Sequence, residues 1–140
     1  MSVDQIRQCA TSVRSALEQL SPGERSIGLQ QFPKGACGDA SMLLAAALHD
    51  KGLGKFCYVC GLTRKDGSGE SHAWLSGEGL IIDITADQFN DGMPPVFVEA
   101  ESDWHGGWED IVENSADYRE WHGQGLYELA RVHYLIKSRI

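Results

Sequence analysis

Residues 71 to 85, SHAWLSGEGLIIDIT, hold two strand-like runs around a Gly-Glu-Gly turn, with a histidine before the turn and an aspartate after it. If Gly77 and Glu78 are the central residues of a two-residue type II′ turn, opposed residues sum to 155. Ser76 then faces Gly79, Trp74 faces Ile81, and His72 faces Asp83. Directly opposed side chains share a sheet face with Cβ atoms about 5 Å apart, within reach of an imidazole–carboxylate hydrogen bond. A three-residue GEG loop would instead shift the register by one and send Asp83 to the other face. An aspartate inside LIIDIT is costly to bury unless paired, and His72 is the available partner. The pair is compatible with a purely structural role, so its chemistry depends on what else is brought to it.

The remaining chain supplies an α+β order. Val3, Ile6, Ala10, Val13, Leu17 and Leu20 recur at helical spacing over residues 3–20. IGLQQFPKGA has no such period and reads as an ordered loop. CGDASMLLAAALHD, 37–50, is a helix closed by Gly52. Strand-like runs follow at KFCYVCGLTR, SHAWLS, LIIDIT and PVFVEA. The expected fold is α+β: a helix bearing Cys37 packed on an antiparallel meander, with a catalytic core over about 27–99 and a helical C-terminal segment over about 103–140. At 140 residues the chain suits a single domain, 1–140.

Composition narrows the partners. Apolar residues make up 42% and charged residues 23%, as in ordinary globular proteins. No apolar run approaches the ~20 residues that span a bilayer, so no membrane partner is expected. A net charge of -8 argues against nucleic acid. The mixed-charge helical start lacks a secretory leader, so a cytoplasmic protein is expected, with export by a specialised route left open. Four irregularly spaced cysteines do not form a disulfide framework and are expected reduced.

Cys37 is the candidate nucleophile. A thiol at a helix N-terminus meets the positive end of the helix dipole, which favours thiolate. With the sheet packed on that helix, His72 can take its proton while Asp83 orients the ring. Gly35 and Gly38 keep side chains clear of a docking carbonyl. The Cys37 N–H is one oxyanion donor. Gln31, six residues earlier, is the candidate second donor, with Gln30 as its near alternative.

The ordered set GACGDASMLLAAALHDKG, FCYVCG, SHAW and LIIDIT resembles the transglutaminase-like branch of the papain-like cysteine hydrolases, over roughly residues 31–88. The resemblance implies Cys37 as nucleophile, His72 as general base and Asp83 as orienting residue, with Trp74 and Thr85 as supports. It also implies Gln31 as an oxyanion-hole glutamine. Where a Pro often follows the aspartate in that branch, this chain has Ile84. The implied activity is a cysteine-dependent hydrolase or acyltransferase acting on an amide of a protein or peptide through a thioester: peptidase, glutamine deamidase or transglutaminase in type, without cofactor or metal. The alternative is a non-catalytic binding or regulatory domain that keeps the fold.

Other features carry less chemistry. Cys57 and Cys60 form a C-x-x-C, but strand positions three apart point to opposite faces, and no second ligand pair accompanies them. Core cysteines are expected there, ahead of a metal module with His72. The segment 102–125 holds three tryptophans and reads as a cleft wall or as packing onto the domain, with His105 and His122 unassigned. The last helix aligns Leu126, Leu129, His133, Ile136 and Ile140. Its second face, Tyr127, Ala130 and Tyr134, suits full burial or a homodimer contact.

Overall fold

Helix formation begins where the backbone has its best cap. In the computed structural model, which describes residues 2–123 and 125–140, Ser2 and Gln5 form a capping box that opens α1, Val3–Gln19. Ile6, Ala10, Val13 and Leu17 are buried along one face of α1. Helix α2, Cys37–Asp50, is apolar nearly all round, and Ala40, Leu43, Leu44, Ala46, Ala47 and Leu48 are all buried. Such a helix belongs between two layers: α2 lies on the sheet, with α1 and the C-terminal helix α3, Leu126–Ile136, on its remaining sides. One continuous core runs from Ile6 to Ile136.

The sheet has five strands, all antiparallel, in the order β4-β3-β2-β1-β5. Four are the expected meander: β1 Cys57–Arg64, β2 His72–Gly77, β3 Leu80–Asp83 and β4 Phe97–Glu99. The fifth corrects the expected helical C-terminal segment, because Trp108–Ser115 forms β5 along the free edge of β1. Seven of its eight residues are exposed, so WEDIVENS shows no inward–outward alternation to announce a strand. Its anchor is Trp108, buried against Gly61, where a Cβ would stand 2.5 Å from the Trp108 Cβ. Only glycine permits that approach.

The two faces of the sheet differ. Leu75, Ile82 and Val98 join the helical core, whereas Val59, Trp74 and Trp108, with Ile81, Phe89 and Trp104, build a smaller aromatic core on the opposite face. Tyr118 and His133 close the C-terminal end with a 2.7 Å hydrogen bond to His133 Nδ1, while the other ring nitrogen, 3.3 Å from Asp50, makes no hydrogen bond, so His133 is a core residue satisfied on one side only. Of the last helix's second face, Tyr127 and Tyr134 are exposed, which overturns full burial. Among the described residues no helix is long and apolar enough to cross a membrane.

The β2–β3 register also differs from expectation. Gly77 pairs with Leu80, Ser76 with Ile81 and Leu75 with Ile82, a sum of 157 instead of 155. The central turn residues are therefore Glu78 and Gly79, both with positive φ (54° and 73°), as a type I′ turn requires. A shift of two residues preserves the face, so His72 and Asp83 remain on one side as diagonal neighbours. Glu78 occupies a left-handed conformation that favours Asn or Gly. Glu78→Asn is expected to raise stability by about 1 kcal/mol, seen as a higher urea midpoint at constant slope; an unchanged or lower midpoint would refute the turn assignment.

Candidate active site

His72 opens β2 and Asp83 closes β3, and both are buried, at 0% and 2% exposure. The ring Nε2–H of His72 donates to Asp83 Oδ2 at 2.6 Å. The other carboxylate oxygen, Oδ1, accepts the Thr85 backbone N–H at 2.9 Å. Immediately after the strand, Arg14 of α1 fixes the chain's return. Its guanidinium donates to the Ile84 carbonyl at 2.8 Å and to both oxygens of Asp87 at 2.7 and 2.9 Å. The 3-10 turn Ala86–Gln88 is thereby held against the N-terminal helix.

That turn delivers Gln88 to the opposite side of the imidazole. Gln88 Nε2 lies 3.5 Å from His72 Nδ1 and donates to the Thr85 carbonyl at 3.1 Å, while its Oε1 accepts the Gly35 N–H at 3.1 Å. Gln88 therefore links the loop before Cys37 to the histidine. Cys37 itself is the first residue of α2, half-buried, with its thiol beside His72. The ring thus has Asp83 on Nε2 and turns Nδ1 toward Cys37 and Gln88.

The electrostatics follow from these contacts. Burial by itself disfavours the imidazolium, but hydrogen bonds to Asp83 and Cys37 outweigh it and raise His72 to about 9. Burial likewise disfavours the Asp83 carboxylate, yet bonds from His105 and His72 prevail and bring it down to about 2. Aromatic rings enclose His72: Phe89 and Trp104 edge-on at 5.1 and 5.5 Å, Trp108 and Trp74 tilted at 5.6 and 5.8 Å. Arg64 lies over Phe89, Trp104 and Trp108 and is itself held by Asp91 and Glu70, so water is kept from the ring on this side.

Of the sequence-derived candidates, Cys37, His72 and Asp83 come together, and Trp74 and Thr85 stand where they support the histidine and the carboxylate. Gly35 has φ +67°, a conformation suited to glycine, and Gly38 faces the Tyr58 hydroxyl, which a Cβ would meet at 3.2 Å. Gln31 is exposed on the turn before α2, and Gln30 ties its side chain to the Pro22 and Arg25 carbonyls. The glutamine bonded into the site is Gln88, marked in the sequence only by following LIIDIT at a short interval. Cys57 is exposed and Cys60 half-buried on the face of Tyr58, which corrects the expected core pair; Cys9 is the fully buried cysteine.

His105, left without a role by the sequence, is buried on Asp83 with Nε2 2.7 Å from the same Oδ2 that His72 uses. His72, Asp83 and His105 offer three ligand atoms within 4.8 Å, the donor set of a metal site. Adjacent ligands around a first-row ion at ~2.1 Å stand roughly 3.0–3.4 Å apart. The 2.6 and 2.7 Å separations here are those of protons shared in hydrogen bonds.

No protein-family model, curated protein or solved structure matches this chain.

The ion pair has a stability signature. The raised folded-state value of His72 contributes stability that is full below about pH 6.5 and is lost as pH climbs through about 9. The depressed value of Asp83 contributes stability present above about pH 4 and lost as pH falls toward 2. Urea unfolding between pH 6 and 9 is expected to show wild type losing about 3 kcal/mol relative to His72→Gln; parallel curves would mean that the imidazole is not held charged.

Proposed function

We propose that this chain is a cysteine-dependent acyl-transfer enzyme, a hydrolase or acyltransferase acting on an amide of a protein or peptide, built on a papain-like, transglutaminase-like core. The observation that carries the reading is the 2.6 Å bond from His72 Nε2 to a buried carboxylate, which leaves Nδ1 to the Cys37 thiol. Base, orienting group and nucleophile are each supplied by a separate element, the arrangement that nucleophilic catalysis needs.

The chemistry runs as two acyl transfers. Cys37 Sγ bonds to the substrate carbonyl carbon, its proton having already passed to His72 Nδ1, and the resulting imidazolium is stabilised by Asp83. The C–N bond breaks as the imidazolium returns its proton to the departing amine, leaving a thioester. Water, or a second amine, then attacks the thioester with His72 again as base, and the thiol is restored. The Cys37 N–H, at the start of α2, is one donor for the oxyanion. The second donor is Gln88 in preference to Gln31, because Gln88 Nε2 lies beside His72 Nδ1 while Gln31 is exposed. Acidic surface charge favours basic or neutral polypeptides as partners.

Alkylation by iodoacetamide at neutral pH, followed by peptide mass spectrometry, tests the nucleophile against an internal standard. Cys37 is expected to react faster than the exposed Cys57, and His72→Ala is expected to remove at least about tenfold of that rate. Equal rates for the two cysteines, unaffected by His72→Ala, would make the chain a binding domain with a buried histidine pair. With an activated ester as probe, Gln88→Ala is expected to lower acylation of Cys37 by about tenfold to a hundredfold and Gln31→Ala by far less; the reverse order would return the oxyanion role to Gln31.

A further inference from the structure

The acyl-transfer reading uses one histidine, yet the buried carboxylate at its centre carries two. Asp83 Oδ2 lies 2.6 Å from His72 Nε2 and 2.7 Å from His105 Nε2. A carboxylate oxygen only accepts hydrogen bonds at this geometry, so each ring presents an Nε2–H to it. On the far side of His105, Ser102 Oγ lies 2.6 Å from Nδ1, and the same Oγ accepts the His105 backbone N–H at 3.1 Å. In the neutral ring the proton on Nε2 leaves Nδ1 as an acceptor, and the Ser102 hydroxyl donates to it. The chain of donors runs from Ser102 through His105 to Asp83, where the His72 bond converges.

We propose that His105 is a positioning residue for His72, holding the Asp83 carboxylate at a fixed angle through its own Nε2–H with Ser102 as the group that sets its tautomer. The inference rests on the acyl-transfer reading for its consequence but not for its geometry. Two constraints make the arrangement effective. His105 is locked among Trp74, Trp104 and Phe97, at 4.9, 4.8 and 5.1 Å between ring centres. Thr85 N–H pins Oδ1 at 2.9 Å, so a donor on Oδ2 from the side away from His72 stops the carboxylate rotating about its Cβ–Cγ bond. Without His105, Oδ2 would keep a single partner, and only that bond and the Thr85 amide on Oδ1 would fix the carboxylate that orients the His72 ring. A buried carboxylate that loses a donor also pays for an unsatisfied lone pair.

Uniform ¹⁵N-histidine labelling of the full chain and two-bond ¹H–¹⁵N correlation test the tautomers directly. Both His72 and His105 are expected to carry a slowly exchanging downfield proton on Nε2, with His105 Nδ1 unprotonated. His105→Leu is expected to shift the His72 Nε2–H resonance and slow Cys37 alkylation at neutral pH by about tenfold, the worth of one hydrogen bond to a charged group. His105→Gln, whose side-chain amide can donate to Oδ2, is expected to restore the rate to within about threefold, and Ser102→Ala to lose the single His105 tautomer. The proposal is overturned by a proton on His105 Nδ1 with bare Nε2. Unchanged His72 resonance and Cys37 reactivity in His105→Leu, or stoichiometric Zn²⁺ uptake that removes both Nε2 protons, would overturn it as well. If His72→Ala leaves Cys37 reactivity untouched, the acyl-transfer reading fails while the His105 tautomer and the His72 resonance still decide this one. Should His105→Leu fail to fold, the wild-type tautomers and His105→Gln carry the test.

Discussion

A carboxylate with almost no exposure is the constraint around which this molecule is arranged. Asp83 survives burial because three donors converge on it: two imidazole N–H groups on Oδ2 and the Thr85 amide on Oδ1. Removing a carboxylate from water costs several kcal/mol unless such partners exist, so each donor has to be delivered by a specific piece of chain. His72 comes from the start of β2, Thr85 from the return after β3, and His105 from the 3-10 turn that precedes β5. The aromatic core on that face of the sheet keeps water from competing for these bonds.

The same logic explains the far-flung anchors. Arg14, nearly buried in α1, grips the Ile84 carbonyl and the Asp87 carboxylate, so the turn that carries Gln88 is braced by a helix about 70 residues away in sequence. A guanidinium suits the task, since its planar fork can meet a carbonyl and a carboxylate at once. Arg64 acts on the outer side, covering three rings of the aromatic core while its charge is met by Asp91 and Glu70. Neither arginine touches His72, yet both limit how its neighbours can move.

Much of this could be read in advance, and the exceptions have physical causes. The 3.6 period of α1, the apolar run of α2 and the strand runs through Glu99 come from local patterning, which sequence displays openly. The His72–Asp83 pairing was legible because a polar residue in LIIDIT demands a partner. The hairpin register was not, since Gly77-Glu78 and Glu78-Gly79 are both reasonable turn centres and both registers place the same residues on each face of the sheet. The strand β5 was hidden because its pairing depends on one tryptophan over one glycine instead of an alternating pattern. His105 was invisible for a related cause, since it acts across a tertiary gap with no spacing to the residue it serves; Gln88 follows Asp83 closely, but its ties to Gly35 and His72 cross such a gap.

The glycine at position 61 has a consequence for the order in which the protein can assemble. By admitting Trp108, it lets residues 102–108 close over a histidine and an aspartate that the chain has already laid down some twenty to thirty residues earlier. Until that closure, Asp83 lacks one of its donors and the His72 ring lacks Trp104 and Trp108 from its walls. Docking of the strap around Trp108 is therefore the step that closes the His72–Asp83 pair off from water.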